Sequence, residues 1–306
     1  MKLSEAIKKA ELEGKAIGHF NISNLEAFNA ITKTAKKLNV PVIIGVSEGE
    51  RDFFGIQNAV ALVRATREDI NNADQISDEG SNGFEIFLNA DHTYSYERCV
   101  EAINAGFDAV IIDCASKPHE ENVAITKQVV EYAKNYSAKN GREVLVEGEL
   151  GYIGQSSKVL EKLPEGVNID PNSLTQPEEA KSFTEETGVD LLAPAVGNVH
   201  GLIKGGNPAL NIERIKELKN ACVVNGQNIP VVLHGASGIT DDELRQAILA
   251  GVSIVHYNTE LRVAYKDALE QSLKSTEEVA PYKYLKSAED AVAEVVEQKL
   301  KIMNGL

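Results

Sequence analysis

The chain has six histidines, and five of them fall at or just past the ends of short β-branched runs: His19, His92, His200, His234 and His256. His119 lies further into the connection that follows its run. One histidine in such a place is most simply a satisfied loop or core residue. Three arriving on one rim, from the third, sixth and seventh runs, are harder to account for in that way. Three imidazoles with an open fourth position are a catalytic zinc arrangement, so His92, His200 and His234 are candidate ligands. Their spacing is not itself a zinc signature, because they meet only if the fold brings the run ends together. Asp91 adjoins His92 and could transfer a proton beside the metal or orient an imidazole. Adjacent residues on an ideal strand point oppositely, so one of this pair must sit where the strand has opened into a loop.

Glycines follow two of the candidate ligands, in HGLIKGG (200–206) and HGASG (234–238). Glycine lets backbone N–H groups approach an anion closely, and Ser237 and Thr259 add hydroxyl donors. A phosphate site beside a metal is the functional reading, and ordinary strand-to-helix turns are the bland one.

The elements that must position these residues alternate along the chain. AIGHFN (16–21) leads into LEAFNAITKTAKKL, and VPVIIGVS (40–47) follows. FEIFLNADH (84–92) leads into SYERCVEAINAG, where Ser95 and Gly106 are the expected caps. FDAVIIDCAS (107–116), REVLVEGEL (142–150), VDLLAPAVGNVH (189–200), IPVVLHGAS (229–237) and VSIVHYNTE (252–260) complete the series. The runs end on Asn21, Ser47, Asp91 with His92, Asp113 with Ser116, Glu149, His200, His234, and Asn258 with Thr259. Near-continuous Val, Ile, Leu and Ala predicts strands buried on both faces of a parallel sheet. Eight such strands, each followed by a helix, predict an α/β protein formed as a single (β/α)8 TIM barrel over residues 1–306. The rival is a doubly wound open sheet, weakened because no Gly-rich phosphate turn follows the first strand. Residues 64–83 read as a helix end and polar loop. Residues 152–176 read as a long loop of the kind that forms lids or binding loops.

Composition narrows the partners. With 31 Lys plus Arg against 46 Asp plus Glu in 306 residues, the net charge is −15. That charge argues against a nucleic-acid binder and against anionic membrane surfaces, and an anionic substrate must be held locally. Cys99, Cys114 and Cys222 form no CxxC pair and read as reduced core thiols of a cytoplasmic protein. No signal peptide or membrane span is expected. The amphipathic C-terminal stretch is expected to close the barrel or to join a subunit interface.

The segments GHFNISNLEAF, PVIIGVSEG, LNADHT, PHEENVAITK, VEGELG, TGVDLLAPAVGNVHGLIKGGNP, VVLHGASGI and NTEL together resemble the class II, zinc-dependent ketose-bisphosphate aldolases over nearly the whole chain. The resemblance implies zinc on His92, His200 and His234, polarising a ketose carbonyl and stabilising the enediolate left by C–C cleavage. Asp91 would take the C4 hydroxyl proton and return it in condensation. The dihydroxyacetone phosphate half would lie on Gly201, Gly235, Ala236, Ser237, His256, Tyr257, Asn258 and Thr259, with Asn21, Ser47 and Lys204 nearby. Glu149 matches an alternative metal position, and Arg262 an arginine that reaches the far phosphate in some members. The same resemblance implies a monovalent cation such as Na+ or K+ near the phosphate, and a homodimer or homotetramer.

Three departures from the family pattern, at four positions, fall on this rim. GQSSK (154–158) puts Ser157 where a proton-handling glutamate is expected, leaving Glu161 or His256 to substitute. HYNT puts His256 in place of an asparagine. His19 and Glu50 replace small residues. The leading reading is therefore aldol cleavage of a phosphorylated ketose, with ordinary fructose-bisphosphate cleavage slow or absent. The alternatives are another zinc-dependent lyase or isomerase of phosphosugars, or a non-catalytic phosphosugar binder.

Overall fold

Eight of the β-branched runs form strands: β1 Ile17–Asn21, β2 Val42–Val46, β3 Ile86–Thr93, β4 Ala109–Ile112, β5 Leu145–Leu150, β6 Leu191–Pro194, β7 Val231–Leu233 and β8 Val252–Tyr257. In this computed structural model, which describes residues 1–74, 83–155, 157–224 and 226–306, they pair in sequence order, all parallel, into a closed barrel. Closure sets Ile17 of β1 opposite Ile254 of β8, so the open-sheet rival is excluded. Helices follow every strand, and their ends obey local chemistry. Ser95 accepts the N–H of Arg98 to start Tyr96–Ala105, and Gly106 ends that helix in the left-handed region.

Two expectations change. Residues 64–74 continue the helix Ile56–Asp74, and the rest of the expected polar loop, 75–82, lies outside the described residues. Residues 152–176 carry a short strand, Val159–Leu160, which pairs in parallel with Leu202–Ile203 and so ties this loop to the segment after His200. The C-terminal helix Lys286–Asn304 closes the barrel's outer ring by packing on Leu25–Leu38 and β1. Among the described residues, no helix is long and apolar enough to cross a membrane.

The period of two along each strand sorts side chains into layers. Outward residues such as Phe20, Ile44, Leu88 and Tyr257 pack beneath the helices. Inward residues Ile17, Ile43, Phe87, Ala109, Leu145, Leu191, Val232 and Ile254 fill the lower barrel, which Leu3, Ala6, Ile7 and Ala10 of the helix Leu3–Leu12 plug from below. Each large apolar side chain so buried contributes roughly 1.5–3 kcal/mol. Two residues further along the same strands the interior turns polar, with His19, Asn89, Glu147 and His256, all buried. The apolar lower layer is thus the floor on which the polar mouth stands.

Gly45 exists for that transition. A methyl group there would lie 2.1 Å from Cε1 of His19, whose ring covers the strand at that point. Gly45→Ala should therefore lower stability by about 1–3 kcal/mol in urea unfolding. The double variant His19→Ala/Gly45→Ala should be more stable than the sum of the two single losses. Strict additivity would show that the collision is not the cause.

Candidate metal centre and active site

Three histidines reach the barrel mouth by different local devices. In β3 the register with β4 shifts between Ala90 and Thr93, and His92 adopts φ +33°. Left-handed backbone costs a residue with a Cβ roughly 1–2 kcal/mol. It resolves the conflict between neighbours: Asp91 keeps the inward direction while His92 turns onto the rim. The guanidinium of Arg51 braces this distortion, donating to the carbonyls of Val46 (2.8 Å) and Asp91 (3.3 Å) and to Thr93 Oγ1 (3.1 Å).

His200 lies six residues beyond the end of β6 at Pro194, later than the run 189–200 suggested. Asn198 fixes the intervening turn, accepting from Val196 N and donating to the His234 carbonyl at 2.9 Å. His234 directly follows β7, and Gly235 next to it has φ +62°. A Cβ on Gly235 would lie 2.3 Å from the Val199 carbonyl oxygen, so only glycine lets the two histidine loops touch.

The three rings are turned by acceptors around them. His92 Nδ1 donates to Asp113 at 3.0 Å and lies 3.1 Å from Glu149 Oε1. His200 Nδ1 donates to the Gly154 carbonyl at 2.6 Å, and His234 Nε2 donates to Glu147 at 2.7 Å. Those bonds leave Nε2 of His92, Nε2 of His200 and Nδ1 of His234 to serve a cation. One donor atom from each ring lies within 4.8 Å of the others, and buried His234 Nδ1 has no hydrogen-bond partner. Burial pushes the His200 pKa down to about 3, whereas at His92 and His234 the surrounding carboxylates outweigh burial and push the imidazoles up, so a cation would bind there in place of protons. The residues fit a zinc ion: three imidazoles, each oriented through its second nitrogen. Glu149 lies between His92 and His234, 3.5 Å from the latter's Nδ1, and belongs to an overlapping group with His92 and Asp113.

Asp91 sits beside this cluster, buried. Its Oδ2 accepts from Asn21 Nδ2 at 2.8 Å, and its Oδ1 lies 3.4 Å from His256 Nδ1 and 3.9 Å from His92 Nε2. Burial alone would raise its pKa, but His92 and His256 hold the carboxyl well below the usual range. The ring of His256 stacks between two others, 3.5 Å from His19 and 4.1 Å from His234. Burial lowers the His19 pKa to about 4, so this ring too is neutral at pH 7.

Above the cluster, Asn21, Gly201, Gly235, Ser237, Asn258 and Thr259 line an inner pocket, which Ser157 also reaches. An outer vestibule of about 540 Å³ is lined by Ser47, Tyr94, Tyr152, Gln155, Ser157, Lys158, Glu165, Arg262 and others. Three expected residues lie elsewhere. Lys204 is exposed and pairs with equally exposed Glu161 at 2.5 Å, so neither lines either space. Tyr257 points outward, as its strand neighbour His256 points in, and packs on Phe20 and Lys299. Ala236 is fully buried, and its N–H donates to the His256 carbonyl. Sequence reasoning missed Glu147, Asn198, Arg51 and Glu165. Only Glu147 carried a signal, two residues before Glu149 on one strand face.

The family model described as "Fructose-bisphosphate aldolase class-II" matches residues 1–305. The fructose-bisphosphate aldolase of Staphylococcus aureus (strain Mu50 / ATCC 700699) is 36% identical over 303 residues, covering 98% of this chain and 96% of that protein. The probable fructose-bisphosphate aldolase of Bacillus subtilis (strain 168) is 35% identical with the same coverage. The crystal structure of the YdjI aldolase from Escherichia coli K12 superposes with a TM-score of 0.74 at 26% identity, over 99% of this chain and 96% of that one. These whole-length matches agree with the barrel and its mouth: the chain belongs to the class-II fructose-bisphosphate aldolase family and is, with it, an aldehyde-lyase.

Proposed function

We propose that this chain catalyses the reversible aldol cleavage of a phosphorylated ketose to dihydroxyacetone phosphate and an aldehyde, with zinc held by His92, His200 and His234. The observation that carries the reading is the convergence of three oriented imidazoles beside the buried carboxylate of Asp91. Zinc, when bound, supplies Lewis-acid polarisation of the ketose carbonyl. Asp91, aimed by the Asn21 amide, takes the C4 hydroxyl proton in cleavage and returns it to the aldehyde oxygen in condensation. Gly201, Gly235, Ser237, Asn258 and Thr259 suit the phosphate, because the helix Thr259–Ser275 begins there and presents its N-terminal amides. Assembly as a homodimer or homotetramer, a monovalent cation near the phosphate and a cytoplasmic setting belong to the same proposal.

Proton handling at the carbon that becomes C3 of dihydroxyacetone phosphate needs a base that Ser157 cannot be at pH 7. The exposed Glu161–Lys204 pair argues against Glu161. Glu165, from the same loop, lines the vestibule and is the better candidate. A second reading, isomerisation without cleavage, is favoured by Ser157 alone.

Zinc-loaded protein should release dihydroxyacetone phosphate from fructose 1-phosphate, fructose 1,6-bisphosphate or tagatose 1,6-bisphosphate, and lose this on chelation or in Asp91→Ala. Folded, zinc-loaded protein that isomerises a phosphosugar without releasing that product would establish the second reading instead. Glu147→Gln should weaken zinc binding by roughly 10–100-fold in competition with a chromophoric chelator, because His234 loses the partner that orients it. Unchanged affinity would remove Glu147 from the metal's support. Glu165→Gln should slow deuterium exchange from solvent into dihydroxyacetone phosphate by roughly 10²–10⁴-fold, and an unaffected exchange rate would return the base to another residue.

A further inference from the structure

We infer that the aldehyde half of the substrate carries no phosphate, and that Glu50 is the residue that decides this. The inference rests on the aldolase reading above and names its substrate class: a ketose 1-phosphate whose far end is an uncharged polyhydroxy chain. Glu50 lies in the first turn of the helix Glu48–Phe54 and is 6% exposed. Both of its oxygens are engaged. Oε2 accepts from Asn21 Nδ2 (2.8 Å), Ser47 N (2.8 Å) and Ser47 Oγ (2.9 Å), and Oε1 accepts from Arg262 at 2.6 Å. The Asn21 amide that bonds Glu50 also bonds Asp91. Glu50 is therefore one side chain away from the group assigned to the C4 hydroxyl, and its partners Ser47 and Arg262 line the vestibule, the space left for the departing aldehyde if the phosphate takes the inner pocket.

Arg262 is the guanidinium that lines the vestibule, and its charge is already offset by the Glu50 carboxylate, which it contacts through Nη2 at 2.6 Å. A terminal phosphate there would meet a neutral pair and would place its dianion beside the like charge of Glu50, which disfavours it. The other charged side chains on this space besides those of the metal cluster, Lys158 and Glu165, are one of each sign. The net charge of −15 gives no long-range help. Beyond the offsetting charges of Glu50 with Arg262 and of Lys158 with Glu165, the vestibule offers neutral groups: the hydroxyls of Ser47 and Tyr94 and the amide of Gln155 match sugar hydroxyls.

The test is condensation by the zinc-loaded full-length chain, offering dihydroxyacetone phosphate with either glyceraldehyde or glyceraldehyde 3-phosphate. In each case C3 of dihydroxyacetone phosphate loses a proton and bonds the aldehyde carbon, whose oxygen gains a proton. Wild-type kcat/KM should favour the unphosphorylated aldehyde by about tenfold or more. Glu50→Gln keeps the side chain's shape and removes its charge, so it should raise the ratio of phosphorylated to unphosphorylated use by about tenfold. Adding Arg262→Ala should bring that ratio back down. The ratio cancels any general loss from disturbing Asn21, and circular dichroism checks the fold. Wild-type preference for glyceraldehyde 3-phosphate, or a ratio unmoved by Glu50→Gln, overturns the inference. No product from either aldehyde overturns the aldolase reading itself, which is a distinct outcome.

Discussion

Each candidate zinc ligand is aimed by a hydrogen bond at its other nitrogen, and the mouth of the barrel depends on that arrangement. Asp113, the Gly154 carbonyl and Glu147 accept from His92, His200 and His234, so each ring has one tautomer and one free direction. The acceptors come from three depths of the structure: the end of β4, the long loop after β5, and the interior of β5. A cation site so built is fixed by the barrel wall and by the loop at once. Displacing the loop near Gly154 would release His200 while leaving His234 and Glu147 in place. The loop after β5 is for that reason part of the candidate metal centre, through Gly154, as well as a wall of the vestibule above it.

The two replaced rim residues His19 and His256 are one packing event. They stack with planes 2° apart, and His19 needs the bare Gly45 beneath it. His19, Asp91 and His256 have donor atoms close enough to form a cation group of their own. The stack argues against that use. Imidazole lone pairs lie in the ring plane, and parallel planes 3.5 Å apart cannot aim two nitrogens at one ion between them. The pair is better understood as a neutral wall beside Asp91, substituting aromatic surface for the amide and small side chain that the family pattern leads one to expect there.

The barrel was legible because its strands carry a strong signal: β-branched runs of the right length, with polar residues where chemistry in this fold resides. The same alternation that revealed β8 also separates His256 from Tyr257, so assigning both to substrate neglected a rule already in use. The Asp91–His92 conflict was visible as a requirement, although its solution, a register shift with a left-handed histidine, depends on the pairing with β4. Loop geometry was not legible. Nothing periodic in residues 152–176 distinguishes Glu161 from Glu165, and their positions follow from the pairing of Val159–Leu160 with Leu202–Ile203. Lys204 was misassigned for the same reason: that pairing carries it out to Glu161.

Two cations on and around this mouth are already paired with carboxylates, and that bears on how an acidic chain holds an anionic sugar. Arg262 is held by Glu50, and Lys204 by Glu161. A phosphate approaching Arg262 meets a charge that buried Glu50 already offsets, whereas the Lys204–Glu161 pair is exposed and costs little to open. Backbone amides at a helix start act through partial positive charge at short range, and here two of them are already engaged, the Glu260 N–H with Ser237 Oγ (3.2 Å) and the Gly238 N–H with Glu260 Oε1 (2.7 Å). The glycine-rich turns after His200 and His234 and the first turn of Thr259–Ser275 can accept one phosphate without drawing on the paired cations. On the side of the mouth that holds Glu50, the hydroxyls of Ser47 and Tyr94 and the amide of Gln155 read shape and hydrogen bonding.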